Sequence, residues 1–256
     1  MCVDIFDNTI MPGGESLNFA ATISRLTDAK IHIIGAVGND SYGKTVLDSI
    51  KDFNIDKTHI RTENGDTASN RTYLTPDGDR YYKDDSWNGG VFSSFALSAS
   101  DKELLHSSDM VHTTFSGPNF NDVIDCCREK RFPLSVDFDI CRDFDTIEKY
   151  LDCISLLFIS GDEPTLEKAK QLSAKYPDTV FIVTLGENGS TAFSKGTAYH
   201  CAADKVSEVT DTTGCGDSYQ AGFIASYLAD GNIETAMSKG SQTAAQTLSF
   251  IGGFRY

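Results

Sequence analysis

The residues best suited to chemistry lie near the C-terminus, in Asp211-Thr-Thr-Gly-Cys-Gly-Asp217-Ser218. Ala221, Ile224, Ala225 and Leu228 follow at helical spacing, so this loop is expected to sit at a helix N-terminus. There Gly214, Cys215 and Gly216 would present consecutive backbone amides, and the helix dipole would favour negative charge. Such a nest suits the oxyanions of a transferring phosphoryl group. Asp217 stands at the same point, placed to take the proton of an attacking hydroxyl, a contribution of about 10²–10⁴-fold. Considered alone, Asp217 reads more readily as a helix cap.

A second glycine loop competes for the phosphate. Gly38-Asn-Asp-Ser-Tyr-Gly43-Lys44-Thr45 matches the pattern GxxxxGK[ST] of P-loop nucleotide hydrolases, after a strand and before a helix. Lys44 would then meet the phosphates, Thr45 magnesium, and Leu134-Ser-Val-Asp137 would end a Walker-B-like strand. Asp40 argues against this, because a carboxylate inside such a loop repels the anion that its amides should hold. The P-loop reading also leaves the C-terminal loop unexplained. Residues 38–45 therefore read better as a strand-to-helix turn using glycine for backbone freedom.

The elements that must position these loops follow from the apolar pattern. Cys2 to Phe6 reads as the end of a strand, and Leu17, Ala20, Ala21 and Leu26 mark a helix after Met11-Pro-Gly-Gly. Ile31 to Val37 reads as one buried strand, followed by a helix carrying Val46, Leu47 and Ile50. Residues 67–83 are β-prone around Pro76-Asp-Gly-Asp79, a hairpin signal. From about residue 97 helix-like and strand-like segments alternate, with apolar runs at Leu104–Val111, Pro133–Phe138, Ile154–Ile159 and Thr179–Leu185. That alternation predicts βαβ units, a mostly parallel sheet, and one main domain with a small β appendage.

Composition excludes several function classes. With 22 basic against 37 acidic residues, a net charge of −15 offers no basic face for nucleic acid. No apolar run approaches the roughly 20 residues that span a bilayer, and no signal peptide opens the chain, so a cytoplasmic protein is expected. Seven cysteines without a regular framework point to free thiols, and the five scattered histidines speak against a His/Cys metal centre.

Taken in series, three motifs resemble the ribokinase, or PfkB-type, family of sugar and nucleoside kinases. Gly13-Gly14-Glu-Ser-Leu-Asn18-Phe-Ala20 is similar to its N-terminal GGxxxNxA signature, and Gly35-Ala-Val-Gly38-Asn-Asp40-Ser-Tyr-Gly43 to its GxVGxDxxG segment. Asp211 to Asp217, with Ser218, Ala221 and Gly222, resembles its C-terminal signature, the most specific of the three. The resemblance implies a ribokinase-like α/β three-layer sandwich over residues 1–256 with a β lid at about 67–86. It implies an ATP-dependent kinase in which Asp217 is the catalytic base and Gly214, Cys215 and Gly216 form the anion hole. Asp4, Gly14 and Asn18 would hold substrate hydroxyls, and Thr184, Gly186 and Gly189 would contact ATP. Glu163 would organise Mg²⁺ through water, and Asp211 and Thr213 would bind a monovalent cation such as K⁺. A homodimer formed through the lid is a further implication.

Four positions depart from the family pattern. Cys215 replaces a small residue, Ser160 replaces the asparagine of NxxE, Asp137-Phe-Asp139 stands for DxN, and Asp4 follows only three residues. The last predicts a sheet lacking part of a central strand. Cys2-Val-Asp-Ile-Phe, Val183 to Ser190 and Asp211 to Gly214 look most similar to members acting on fructoselysine, phosphorylated at its 6-hydroxyl. Asp84, Asp85, Asp137 and Asp139 are candidates to face its ammonium group, although any one of them taken singly reads better as a solvated surface carboxylate. Ribose, fructose, 2-keto-3-deoxygluconate and nucleosides are the alternative acceptors.

Overall fold

The computed structural model describes residues 1–6, 9–75 and 79–256. They divide into two compact units, Met1–Phe95 with Asp204–Tyr256, and Ala96–Ala203.

The first unit opens with β1 (Cys2–Phe6), β2 (Thr9–Gly13) and α1 (Glu15–Ile23). It continues with β3 (Ile31–His32), β4 (Gly35–Gly38), α2 (Ser41–Ser49), β5 (Ile55–Asp56) and β6 (Ile60–Glu63). β7 (Ala68–Leu74), β8 (Arg80–Tyr81) and β9 (Trp87–Asn88) follow. β1 is antiparallel to β2 and parallel to β7, so all five of its residues are paired on both sides. This register puts Asp4 between Met11 and Asn70. β8 and β9 both run antiparallel to β7. The expected hairpin is therefore present at its strands, closed by Thr75 N–H donating to Asp79 O at 2.7 Å, while Pro76, Asp77 and Gly78 lie outside the described residues.

One expectation changes here. Ile31 to Val37 is not one strand: β3 pairs with β5 and β4 with β6, so the run bends between them and buries Ile33 in the core. That core joins Met1, Val3, Leu17, Ala20, Val37, Val46, Ile50 and Phe254.

The second unit holds α3 (Ala99–Ser107), β10 (Val111–Thr114), α4 (Phe120–Glu129), β11 (Leu134–Asp137) and α5 (Phe144–Glu148). After them come β12 (Leu156–Ser160), α6 (Glu163–Lys175), β13 (Val180–Thr184), β14 (Ser190–Ser194) and β15 (Thr197–Cys201). These strands form one sheet in the order β10-β11-β12-β13-β14-β15, parallel through β13 and antiparallel beyond it. β11 is buried throughout and β12 and β13 nearly so, as strands of a parallel sheet covered on both faces must be. The apolar run Leu104–Val111 splits: a capping box of Ser98 and Asp101 starts α3, which takes Leu104 and Leu105, and the strand begins at Val111.

The chain returns to the first unit as α7 (Cys215–Asp230) and α8 (Ile233–Thr247), joined at left-handed Gly231. α7 packs on both α1 and α8. Its buried residues run without interruption from Asp217 to Ile224, whereas Leu228, expected on the apolar face, is 53% exposed. The face is confined to the first half of the helix, where neighbours lie on more than one side.

The Gly38–Thr45 loop is occupied from within. Asp40 caps α2, accepting from Gly43 N at 2.8 Å, and it also accepts from Thr67 N at 2.9 Å and Thr67 Oγ1 at 2.6 Å. Its carboxylate thus takes amide and hydroxyl hydrogens of the sort a phosphate would need, and Lys44 is solvent-exposed. Burial, the largest single influence on Asp40, opposes ionisation, yet the bonds from Thr67 and Gly43 outweigh it and hold the carboxyl below its ordinary value. Asp40→Ala is expected to lower the unfolding free energy by about 1–2 kcal/mol in a urea titration at neutral pH. Because the folded value lies below the unfolded one, the ionised group stabilises the fold above about pH 4. The gap between wild type and variant should close as pH falls below that.

Candidate active site

In the first unit the C-terminal glycine loop is built around Asp211, which is fully buried. One of its oxygens accepts from Thr213 N at 2.8 Å and the other from Gly252 N at 2.7 Å. The Thr213 hydroxyl is buried beside it with no partner among the described residues. A carboxylate and an orphaned hydroxyl together are oxygen donors suited to a hard monovalent cation.

Gly214 then adopts a left-handed φ of 73° and caps α7. A Cβ there would lie 2.5 Å from Cα of Gly253, so both the conformation and the close approach demand glycine. Of the three amides expected to form an anion nest, that of Cys215 donates to Thr212 O at 3.2 Å. This corrects the picture of three free donors. Tightening the turn consumes the middle amide, and the exposed Gly216 amide, in the first helical turn, has no acceptor within the helix.

Asp217 lies buried in that same turn, where the helix dipole stabilises its charge. Asn18, from α1, donates through Nδ2 to Asp217 Oδ2 at 2.9 Å, and its own Oδ1 is buried without a partner among the described residues. Ser218 ties the arrangement together: its hydroxyl accepts from Thr247 of α8 at 2.8 Å and lies 3.4 Å from Thr22 of α1. Asp4 accepts from Thr72 Oγ1 at 3.3 Å, and a Cβ at Gly13 would overlap its other oxygen. Gly14, at φ 99°, starts α1 and passes so close to Cys2 that a Cβ would sit 3.3 Å from Cys2 N. Burial, reinforced by the Asp4, Glu15 and Asp217 carboxylates, pushes the Cys2 thiol up to about 12. The first unit therefore brings Asp4, Gly14, Asn18, Asp211, Thr213 and the Gly214–Asp217 turn together around a strongly acidic centre.

Glu163, Thr184, Gly186 and Gly189 belong to the second unit, at the C-terminal ends of β12 and β13. Ser160 pairs with Thr184 across the two strands, and their hydroxyls are 3.1 Å apart. Glu163 is exposed at the first position of α6, behind the Asp162 cap. Gly186 and Gly189 have φ of 59° and 86°, and a Cβ on Gly189 would overlap the Cys201 carbonyl. Asp137 ends β11 and accepts from Asp139 N at 2.8 Å, while Asp139 O accepts from Ser160 N at 2.8 Å. Among the described residues no group of three or more His, Cys, Asp or Glu could ligate a metal directly. The oxygen set at these strand ends instead suits Mg²⁺, which retains its waters.

The C-terminal Gly252-Gly253 pair went unnoticed in the sequence. Gly252 donates to Asp211, and a Cβ on Gly253 would overlap the Asn18 amide. A tandem glycine following a helix was the only available signal. Thr72 and Asn70 gave none, because their importance comes from pairing with β1. Asp211→Ala is expected to destabilise the protein by about 1–3 kcal/mol for each amide it orphans, read from the shift of a urea unfolding curve.

The sequence pattern of the pfkB family of carbohydrate kinases matches residues 5–253. Fructoselysine 6-kinase of Shigella flexneri is 32% identical over 258 residues, covering 99% of this chain and 96% of that protein. Fructosamine kinase FrlD of Bacillus subtilis is 27% identical over 253 residues, covering 97% and 87%. Among solved structures, Arabidopsis thaliana ribokinase complexed with ribose and ATP superposes with a TM-score of 0.79 at 19% identity, covering 98% of this chain and 91% of that one. The fold is thus the ribokinase-like sandwich, and no helix among the described residues is long and apolar enough to cross a membrane. The chain belongs to the pfkB family of carbohydrate kinases and is an ATP-dependent kinase.

Proposed function

We propose that the protein transfers the γ-phosphoryl group of ATP to the 6-hydroxyl of fructoselysine, giving fructoselysine 6-phosphate and ADP. The observation that carries this reading is the Asp217 carboxylate, buried at a helix N-terminus and bonded to Asn18 at 2.9 Å. A carboxylate so placed can accept the hydroxyl proton while dipole and amides favour the anion that forms. The 32% identity to a fructoselysine 6-kinase supports the choice of sugar.

In this mechanism Asp4, Gly14 and Asn18 hold the acceptor hydroxyls. The acceptor oxygen attacks the γ-phosphorus, its proton passes to Asp217, and the bond to the β,γ-bridging oxygen breaks. Gly214 and Gly216 direct amides at the transferring group, with Cys215 maintaining the turn that aims them. Thr184, Gly186 and Gly189 bind ATP. Glu163 would hold Mg²⁺ through water, and the ion would neutralise charge on the phosphates. Asp211 and Thr213 would hold a monovalent cation against the loop. Closure of the β7–β8 hairpin over the sugar would exclude water from the transfer.

Ribose, fructose, 2-keto-3-deoxygluconate and nucleosides are the competing acceptors, and an ATP-consumption assay across all of them with fructoselysine tests the choice. Fructoselysine should give the highest kcat/KM, and a higher value with any of the others would overturn it. Asp217→Asn should lower kcat by about 10²-fold or more while ATP binding, measured by calorimetry, stays intact. Lys44→Ala should leave kcat within about twofold, since a lysine exposed beside a self-capped loop has no phosphate to hold. A collapse of activity in that variant would favour the P-loop mechanism.

A further inference from the structure

The β1–β7–β9 ladder sets a row of side chains across the first unit. Asp4 pairs with Asn70 in the parallel β1–β7 register, and Asn70 pairs with Trp87 in the antiparallel β7–β9 register. Directly paired residues project to the same face, and neighbouring strands lie about 4.8 Å apart. The row thus begins at the carboxylate assigned to the sugar hydroxyls and runs outward through Asn70 to Trp87.

Three observations lie along it. Asn70 Oδ1 is buried with no hydrogen-bond partner among the described residues, a costly state for an acceptor that nothing else explains. Beyond it is a cleft of about 410 Å³ lined by Asn70, Tyr82, Lys83, Asp85, Ser86 and Trp87. The cleft wall is a turn, closed by Ser86 N–H donating to Lys83 O at 3.1 Å, that holds Asp85 at a left-handed φ of 64°. A non-glycine residue kept in that conformation is the kind of local strain that collects at ligand sites. Trp87 is half exposed, its ring edge-on to Phe92.

We infer that this cleft is the subsite for the amine-linked amino-acid portion of the substrate, with Asn70 as the residue that reads the amine. The inference rests on the fructoselysine reading above and extends it. In a 6-phosphorylated fructosamine the reacting hydroxyl and the C1 amine are at opposite ends of the sugar. The residues fit that separation: Asp217 touches Asn18, Asp4 and Asp217 both act on the Cys2 thiol, and Asn70 stands one strand beyond Asp4. The C1 nitrogen is a secondary ammonium, so it brings an N–H donor and a positive charge to the Asn70 oxygen. The lysine chain then crosses the Trp87 ring. Its end carries an ammonium and a carboxylate, and the cleft offers Asp85 for the first and Lys83 for the second. Lys83 Nζ rests 4.0 Å from the Tyr73 ring centroid, a cation–π contact that a stronger anionic partner can displace.

The test compares kcat/KM for fructoselysine, fructose and Nα-acetylfructoselysine in wild type, Asn70→Ala and Asp85→Asn. Asn tolerates the left-handed region nearly as well as Asp, so the second variant removes charge while keeping the turn. Asn70→Ala should cut the fructoselysine-to-fructose ratio about tenfold, the scale of a hydrogen bond to a charged group. Asp85→Asn should lower kcat/KM for fructoselysine several-fold more than for the acetylated compound, whose ammonium is gone. If wild type turns over fructoselysine but both variants leave these ratios unchanged, the cleft is not the amino-acid subsite. If wild type phosphorylates fructose but not fructoselysine, the substrate reading itself falls, and this inference with it.

Discussion

A carboxylate removed from water must find hydrogen-bond donors, and Asp211 finds two that are far apart in the sequence. By binding both Thr213 N and Gly252 N it clamps the glycine loop to the C-terminal segment. That clamp brings Gly253 against Gly214 on one side and the Asn18 amide on the other. Asn18 in turn reaches Asp217. The geometry around the proposed base therefore depends on a residue that does not touch it. Where Gly253 meets Gly214 and Asn18 the approach is too close for a side chain, so glycines occupy those contact points.

The same logic explains what the sequence disclosed and what it hid. Asp211 to Ser218 was legible because it concentrates glycine and aspartate where a helix begins. Gly38 to Thr45 was misleading for the same reason, and the structure gives its glycines another role. A Cβ at Gly38 would overlap Gly65 O, and one at Gly43 would overlap Gly38 O. They make room for packing, and Asp40 fills the place of the anion. The strands of the second unit were legible because burial on both faces leaves continuous apolar runs such as Leu156–Ile159. The part of the first strand that the sequence shows, Cys2 to Phe6, pairs on both sides along its length.

What stayed hidden depends on pairing between distant strands. Nothing near Asn70 marks it as a neighbour of Asp4, because a register that pairs residues 66 positions apart is a property of the fold. The consumption of the Cys215 amide by Thr212 O was hidden too, since it turns on the pitch of one turn. Pattern identifies where donors are plentiful, and only coordinates show which are already committed.

The ladder between β1 and β7 has one more consequence. It is held by backbone groups, which are the same whatever side chain stands at position 70. Residues on β7 can therefore change without moving the strand that carries Asp4. The face that β7 presents and the alignment of β1 beside it are thus set by different groups, side chains for the one and backbone for the other. A lineage built on this scaffold can vary β7 and the turn before β9 while the α7 N-terminus that holds Asp217 keeps its own supports from α1 and α8.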